Sequence, residues 1–548
     1  MILPRIKNYQ KHEGYFWGNI IFEKNCKISM WASQLAVIFK PSASLGTTGQ
    51  ANILLSEQNF SKVGSYKLNV TPSRITILYG DLEGVRNAIA TLCQLDNGEA
   101  IPCCEIFDEP DNDFRSCMLD LARGYVEIDV LKEHIVRMAL LKYNHIHLHL
   151  MDRQSYVLQS DVVPNPVGYK QYTKQEMSDL ADFCKLLELE VIPEIEIPAH
   201  AVNQIKALPA LACDIIDRKK AVDLIRKAED PRKREFTNNK LGVSSWVVCA
   251  GKESTYEIYE KIVAEICEIF NGKYLHIGGD ELAFRNLGAH PHWENCVHCK
   301  KQMEEENIKT VRELYYYVIK RMYDIVTRFG KKMMVWNDQL DALNPIDIPK
   351  DIIVEYWNGG VITKEKEILQ KLCDQEFEVI NAHYRYAYAD HPRYMQEGNI
   401  KEWNTKTDIL GESEVIGAIL GGEMCVWELG NPLYSFYSCS LPVCMTLFAD
   451  RLWNHGAVEY DEAYKISVFS EMIGKKMKLH PFNFFNEMIP PRDCARTMPE
   501  GIDFEHIDKA LLEDMLSELK NTDPNNIYGK FARESYIEFL ETIQYCIC

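Results

Sequence analysis

KYLHIGGDEL (Lys273–Leu282) runs from an apolar stretch through two glycines straight into two adjacent carboxylates, Asp280 and Glu281. The apolar part has the character of a buried strand. Neighbouring side chains on an extended segment point to opposite sides, but glycines relax the backbone past a strand end. Both acids can therefore be turned into one cavity. Taken alone, GGDE equally describes a strand that ends in a solvated acidic turn, and its surroundings have to decide.

Outward from this stretch, a strand-then-helix pattern repeats from Ser116 to about Trp453. The candidate strands are SCMLDLA (from Ser116), HIHLHLM (from His145), EVIPEIEI (from Glu190), KYLHIGG, KKMMVW (from Lys331), DIIVEYW (from Asp351), FEVINAH (from Phe377) and GAILGG with EMCVW (from Gly417). Between them lie helical stretches such as DVLKEHIVRMALLKY, with Leu131, Ile135 and Met138 on one face and Asp129 as the expected N-cap. This alternation predicts an α/β chain organised as a (β/α)8 TIM barrel rather than an open sheet. We expect the barrel over 109–455. Before it, 1–108 reads as a small α/β support domain, with SYKLNVT and RITILYG as strands and EGVRNAIATLCQL as a helix. After it, 456–548 reads as a helical C-terminal region that packs on the barrel, with a homodimer contact or a rim for the substrate cleft as the minority reading.

Chemistry in such a barrel gathers at the C-terminal strand ends. The strands in turn end in Arg123, Asp152, His200 (through IPAH), Asp280 with Glu281, Trp336, Trp357, Tyr388 with Asp390, and Trp427. Each has an ordinary structural explanation when taken singly. Aromatic walls with convergent polar groups at one face are what a sugar ring requires, because its C–H faces stack and its hydroxyls need directed partners.

The net charge of −19 argues against nucleic acid or an anionic membrane as partner, since both reward clustered Lys and Arg. The opening MILPRIKNYQKHEGYF lacks the apolar core of an export signal, and no apolar stretch is long enough to span a bilayer. A cytoplasmic location is expected. The eighteen cysteines are scattered, often within apolar runs, which suits reduced, buried thiols. One tight pair, Cys296 and Cys299, stands near His290, His292 and His298, but no second CxxC accompanies it. No metal or other cofactor is assigned.

LDLARGY (from Leu119), KYNHIHLHLMDRQSY (from Lys142), PEIEIPAH (from Pro193), YLHIGGDE (from Tyr274), VWND (from Val335), YAD (from Tyr388) and GGEMCVW (from Gly421) together resemble the β-N-acetylhexosaminidases of glycoside hydrolase family 20. The resemblance covers nearly everything up to about residue 455. It implies exo-acting removal of terminal β-linked N-acetylhexosamine from oligosaccharides or glycoconjugates by a retaining, substrate-assisted route. In that route Asp280 orients the acetamido group and Glu281 is the general acid and base. It further implies Tyr388 on the acetamido oxygen, Trp336, Trp357 and Trp427 around its methyl, and Arg123 and Asp390 on sugar hydroxyls. Asp152, His200 and His276 are implied as a supporting hydrogen-bond shell. Some positions depart from the family pattern: Leu429 where an acid is usual, with Glu428 beside it, Gly124 after the arginine, and Arg153 and Tyr156 in the second-strand motif. These bear on gluco against galacto preference. The rival readings are a sugar-binding barrel without turnover, and a metal-dependent barrel hydrolase using the alternate histidines of HIHLH.

Overall fold

The structure is a computed structural model. It describes residues 2–456 apart from 25, 40–42, 97–98, 166–169, 215–236, 239–242, 245–246, 283–290, 359–366, 390–399, 401–402, 409–412 and 428–439, together with position 517. The expected C-terminal helical region, beyond 456, lies outside the described residues except for position 517, which is helical.

The first unit contains β1 (Asn8–Phe16), β2 (Ile21–Glu23), β3 (Ser44–Gly46), β4 (Ile53–Glu57), β5 (Tyr66–Val70), β6 (Ile75–Tyr79) and β7 (Ile101–Asp108). Five of these form one sheet in the order β1-β7-β5-β6-β4. Alternation places Tyr66, Leu68 and Val70 of β5 with Ile75, Ile77 and Tyr79 of β6 on the buried face. Helices α1 (Lys27–Phe39) and α2 (Leu82–Leu95) pack with it, α2 starting at Asp81, whose side chain accepts the Gly84 N–H. Buried charges tie this unit to the next: Lys142 Nζ meets Asp108 Oδ2 at 2.8 Å, and Arg115 pairs with Glu83 of α2.

The second unit is a closed parallel barrel. Its strands are β8 (Phe114–Asp120), β9 (His145–His149), β10 (Glu190–Glu194), β13 (Tyr274–His276), β14 (Lys332–Trp336), β15 (Ile353–Tyr356), β16 (Glu378–Asn381) and β17 (Ile419–Val426), with β17 pairing back onto β8. A short ribbon, β11 (Thr237–Asn238) with β12 (Val243–Ser244), belongs to the loop after β10. The barrel and the small N-terminal α/β unit therefore agree with the architecture expected from the sequence. One local expectation is corrected: helix α3 (Ile128–Leu140) follows Glu127 as N-cap, without a side-chain cap bond, and Asp129 sits inside its first turn. There its charge still favours the positive end of the helix dipole.

The barrel interior is layered. Phe114, Ile192, Met334, Ile353 and Ile380 fill one apolar layer. Above it lies a charged layer of His147, Glu194, His276, Glu355 and Glu423, all fully buried. Nearest the C-terminal strand ends, Met118, Trp336, Ala382 and Cys425 form a layer on which Trp357, Tyr388 and Trp427 pack.

Candidate active site

Past β13 the backbone turns through Gly278 (φ +66°) and Gly279 (φ +91°), and Glu281 is also left-handed (φ +49°). A Cβ at Gly278 would lie 2.1 Å from Glu196 Oε2, and one at Gly279 would lie 2.6 Å from Val335 Cγ2. Both positions need glycine for the close approach and for the positive φ. This turn delivers Asp280 and Glu281 together to the mouth of the barrel, and the strained Glu281 backbone is pinned by its N–H donating to Asp338 Oδ2 at 2.9 Å.

His200, at the end of PEIEIPAH, faces both acids: its Nε2 lies 3.5 Å from Asp280 Oδ2 and 3.7 Å from Glu281 Oε2. Its Nδ1 lies 3.3 Å from Asp152. Asp152 in turn pairs with Arg123, whose other arm reaches Asp120 at 2.7 Å. A line of alternating charge thus runs from Arg123 through Asp152 and His200 to the acid pair. Burial works against charge on Asp152, but Arg123 and His200 hold it well below the usual carboxylate range. Burial also opposes the His200 cation, yet Asp152 and Asp280 raise its pKa. Asp280 goes the other way. Burial pushes it up to about 7 against the opposing His200, helped by Asp338 and Glu281, and its Oδ1 is buried without a hydrogen-bond partner.

Four aromatic rings stand over these groups. Trp336 is buried, its indole N–H donating to Glu194 Oε1 at 2.7 Å. Trp427 is 5.7 Å from Trp336 and 6.0 Å from Tyr388 between ring centres, and Trp357 lies nearly parallel to Tyr388 at 6.2 Å. The Arg123 guanidinium sits 5.5 Å above Trp427. Asp338 Oδ1 accepts the Trp357 indole N–H at 3.2 Å, so one carboxylate positions both an acid and an aromatic wall.

The structure thus brings together Asp280, Glu281, Arg123, Asp152, His200, Trp336, Trp357, Tyr388 and Trp427. His276 lies one layer deeper, its Nδ1 3.0 Å from Glu194 Oε1. Asp390, Glu428 and Leu429 lie outside the described residues. Sequence reasoning did not single out Asp338 or the interior carboxylates Glu194, Glu196, Glu355 and Glu423. Asp338 was inside the quoted VWND. The others share the inward parity of His147 and His149, a signal visible in EIEI, IVEY and GGEM once strand alternation is applied.

Those interior groups pair only in part: both Glu355 oxygens, Glu423 Oε2, His147 Nε2 and His276 Nε2 are buried without a hydrogen-bond partner. His147 Nδ1 lies 2.8 Å from Glu423 Oε1 and its Nε2 3.3 Å from Glu194 Oε2, while His149 binds Glu194 and, at 3.1 Å, Asp152. Burial alone would strip these histidines of their protons, but Glu423 and Glu194 lift His147 to about 9, and Glu194 with Asp152 lifts His149 to about 10. Burial opposes charge on Glu194 as well, and His149, His276 and His147 still hold it well below its usual value. Glu355 is driven up by burial and by Glu423.

The family model for the catalytic domain of glycosyl hydrolase family 20 matches residues 113–431. A β-hexosaminidase of Porphyromonas gingivalis is 29% identical over 323 residues, which are 54% of this chain and 38% of that protein. A β-hexosaminidase of Akkermansia muciniphila is 26% identical over 443 residues, 74% of this chain and 84% of that protein. The crystal structure of a β-N-acetylhexosaminidase from Bacteroides fragilis superposes with a TM-score of 0.71 at 20% identity, covering 88% of this chain and 96% of that one.

Proposed function

Because the chain belongs to glycosyl hydrolase family 20, we propose that it is an exo-acting β-N-acetylhexosaminidase that works by a retaining, substrate-assisted mechanism. The observation that carries this reading is the convergence of Asp280 and Glu281 with Trp336, Trp357, Tyr388 and Trp427 at one mouth of the barrel. A 2-acetamido sugar fits these walls with its methyl on the indoles and its amide against Asp280 and Tyr388.

In the first step the acetamido oxygen attacks the anomeric carbon while Glu281 gives its proton to the departing oxygen. The glycosidic bond breaks and an oxazolinium ion forms. In the second step Glu281 takes a proton from water, which opens the ring with net retention. Asp280 orients the acetamido N–H and stabilises the positive charge that grows on it. Without substrate its pKa of about 7 leaves it partly protonated at neutral pH. An N–H donor placed against it favours the charged form. Burial disfavours charge on His200, but Asp152 and Asp280 raise its pKa, and from between Asp152 and the acid pair it shapes the field in which the two acids divide the work.

The substrate class is an N-acetylated oligosaccharide or glycoconjugate with a terminal β-linked sugar. Single buried cysteines scattered through both units, such as Cys93, Cys117 and Cys184, suit a reducing, cytoplasmic setting. The test is aglycone release from matched aryl N-acetyl-β-glucosaminide and β-galactosaminide. The wild type is expected to release aglycone from at least one of them, and Glu281→Gln to release it from neither. No release by the wild type at any pH overturns the activity.

A further inference from the structure

Cys213, Cys249, Cys296 and Cys299 are fully buried, and their sulfur atoms all lie within 4.8 Å of one another. Cys249 Sγ is 3.6 Å from both Cys296 Sγ and Cys299 Sγ. A disulfide needs about 2.05 Å between sulfurs, so these are neither bonded pairs nor spread as separate core thiols. The edge of a sulfur tetrahedron around zinc, with Zn–S of about 2.3 Å, is about 3.8 Å. The partners that the sequence seemed to deny the Cys296–Cys299 pair are two single cysteines, not a second CxxC.

The surrounding backbone is built to bring the four together. Cys213 follows the short turn Pro209–Leu211. Ala212 and Val248 form a β-bridge, and the Cys249 N–H donates to Leu211 O at 2.7 Å. Cys296 is the N-cap of the helix Val297–Glu305, and Cys299 stands in its first turn. Val297 N–H donates to Asp214 O at 3.1 Å, and the Trp293 indole to Val248 O at 2.9 Å. A Cβ on Gly251 would sit 2.2 Å from His298 O, so the chain just after Cys249 lies directly against the CxxC turn. Lys252 Nζ donates to Ala212 O at 2.7 Å and pairs with Asp214 Oδ1 at 3.3 Å, next to Cys213.

We propose that Cys213, Cys249, Cys296 and Cys299 form a tetrathiolate site for one zinc ion, which staples the loop after β10 to the loop after β13. An all-sulfur, closed, buried donor set selects a thiophilic cation and leaves no open position for substrate, so the site is structural. On binding, each thiol releases its proton to solvent, four Zn–S bonds form and no electron is transferred. The two loops joined are the ones that begin with His200 and with Asp280 and Glu281. The staple therefore holds the two sides of the acid pair's surroundings in register. It rests on no assumption about the substrate and stands or falls apart from the proposed activity.

The experiment is metal analysis of the full chain, expressed in zinc-replete medium and passed over a chelating resin. About one zinc per chain is expected, falling to about a tenth of that or less in Cys296→Ser/Cys299→Ser. Because that variant can fail to fold, the wild type is also titrated with an organomercurial while a metallochromic indicator reads zinc released in step with thiol capture. Exchange for cobalt is expected to give the visible absorption of a tetrahedral thiolate complex. Wild-type protein with about a tenth of an equivalent of zinc or less, or a folded double variant that keeps its zinc in full, overturns the site. Iron in place of zinc overturns the choice of ion.

Discussion

The mouth of the barrel and the layer one step beneath it are made from the same residue types, carboxylates and histidines, yet one carboxylate in each, Asp280 and Glu194, shifts in opposite directions. In the interior, Glu194 is surrounded by His147, His149 and His276 and stays well below its usual pKa. At the mouth, burial raises Asp280 to about 7 although His200 stands 3.5 Å away. Neighbours outweigh burial in the first case, and burial with two further carboxylates outweighs one histidine in the second. In the interior, His147 and His149 pair with Glu423 and Glu194, while Glu355 is raised by burial and by Glu423 and its buried oxygens lack a hydrogen-bond partner. The mouth holds an acid pair with an unpartnered buried oxygen on Asp280, which a substrate N–H can satisfy.

The largest effect expected from this contrast is at Glu281. Glu281→Gln should lower kcat by about a thousandfold or more while the melting temperature moves little, because the group that moves the proton is lost and the fold is not. Steady-state kinetics beside calorimetry check both halves. Next comes Glu194→Gln, whose cost should fall on the fold instead. Leaving buried histidine cations without their carboxylate should cost about 3–5 kcal/mol of stability, read from denaturant unfolding.

The pH dependence of stability separates the two regions by sign. Glu194, lowered in the folded state, contributes stability that is present above its unfolded pKa of about 4.3 and is lost as pH falls through its folded value. Asp280, raised to about 7, holds its proton more tightly when folded, so its contribution diminishes as pH rises from about 4 through 7. Asp280→Asn should accordingly melt higher than wild type at pH 8 by a few degrees, match it at pH 4, and lose about a hundredfold in kcat. A lower melting temperature at pH 8 would place Asp280 with the interior set. The smallest effect belongs to Trp357→Phe. With the indole donor to Asp338 gone, KM should rise by about threefold to tenfold with kcat less affected, and an unchanged KM would remove Trp357 from the sugar-binding wall.

The barrel was legible because parallel strands covered on both faces read as apolar runs, such as KKMMVW and DIIVEYW, spaced by helical segments. The acid pair was legible because GGDE places glycines where a strand must turn, and the observed φ values at Gly278 and Gly279 are the physical content of that spelling. The charged interior layer was not read, since Glu355 or Glu423 inside an apolar run looks like an interruption until its inward parity is matched with His147 across the barrel. The sulfur cluster was hidden for a different reason. Cys213 and Cys249 are separated in sequence from Cys296 and Cys299, and only the closure of two βα loops brings them together.

The central claim, that the substrate's own acetamido group is the nucleophile beside Asp280 and Glu281, is tested most directly by weakening that nucleophile without changing its shape. Matched aryl β-glucosaminides carrying N-acetyl and N-trifluoroacetyl groups should differ by about a hundredfold or more in kcat/KM with the wild-type protein, because electron withdrawal depletes the attacking oxygen. Equal kcat/KM for the two would contradict the account and require a nucleophile supplied by the protein.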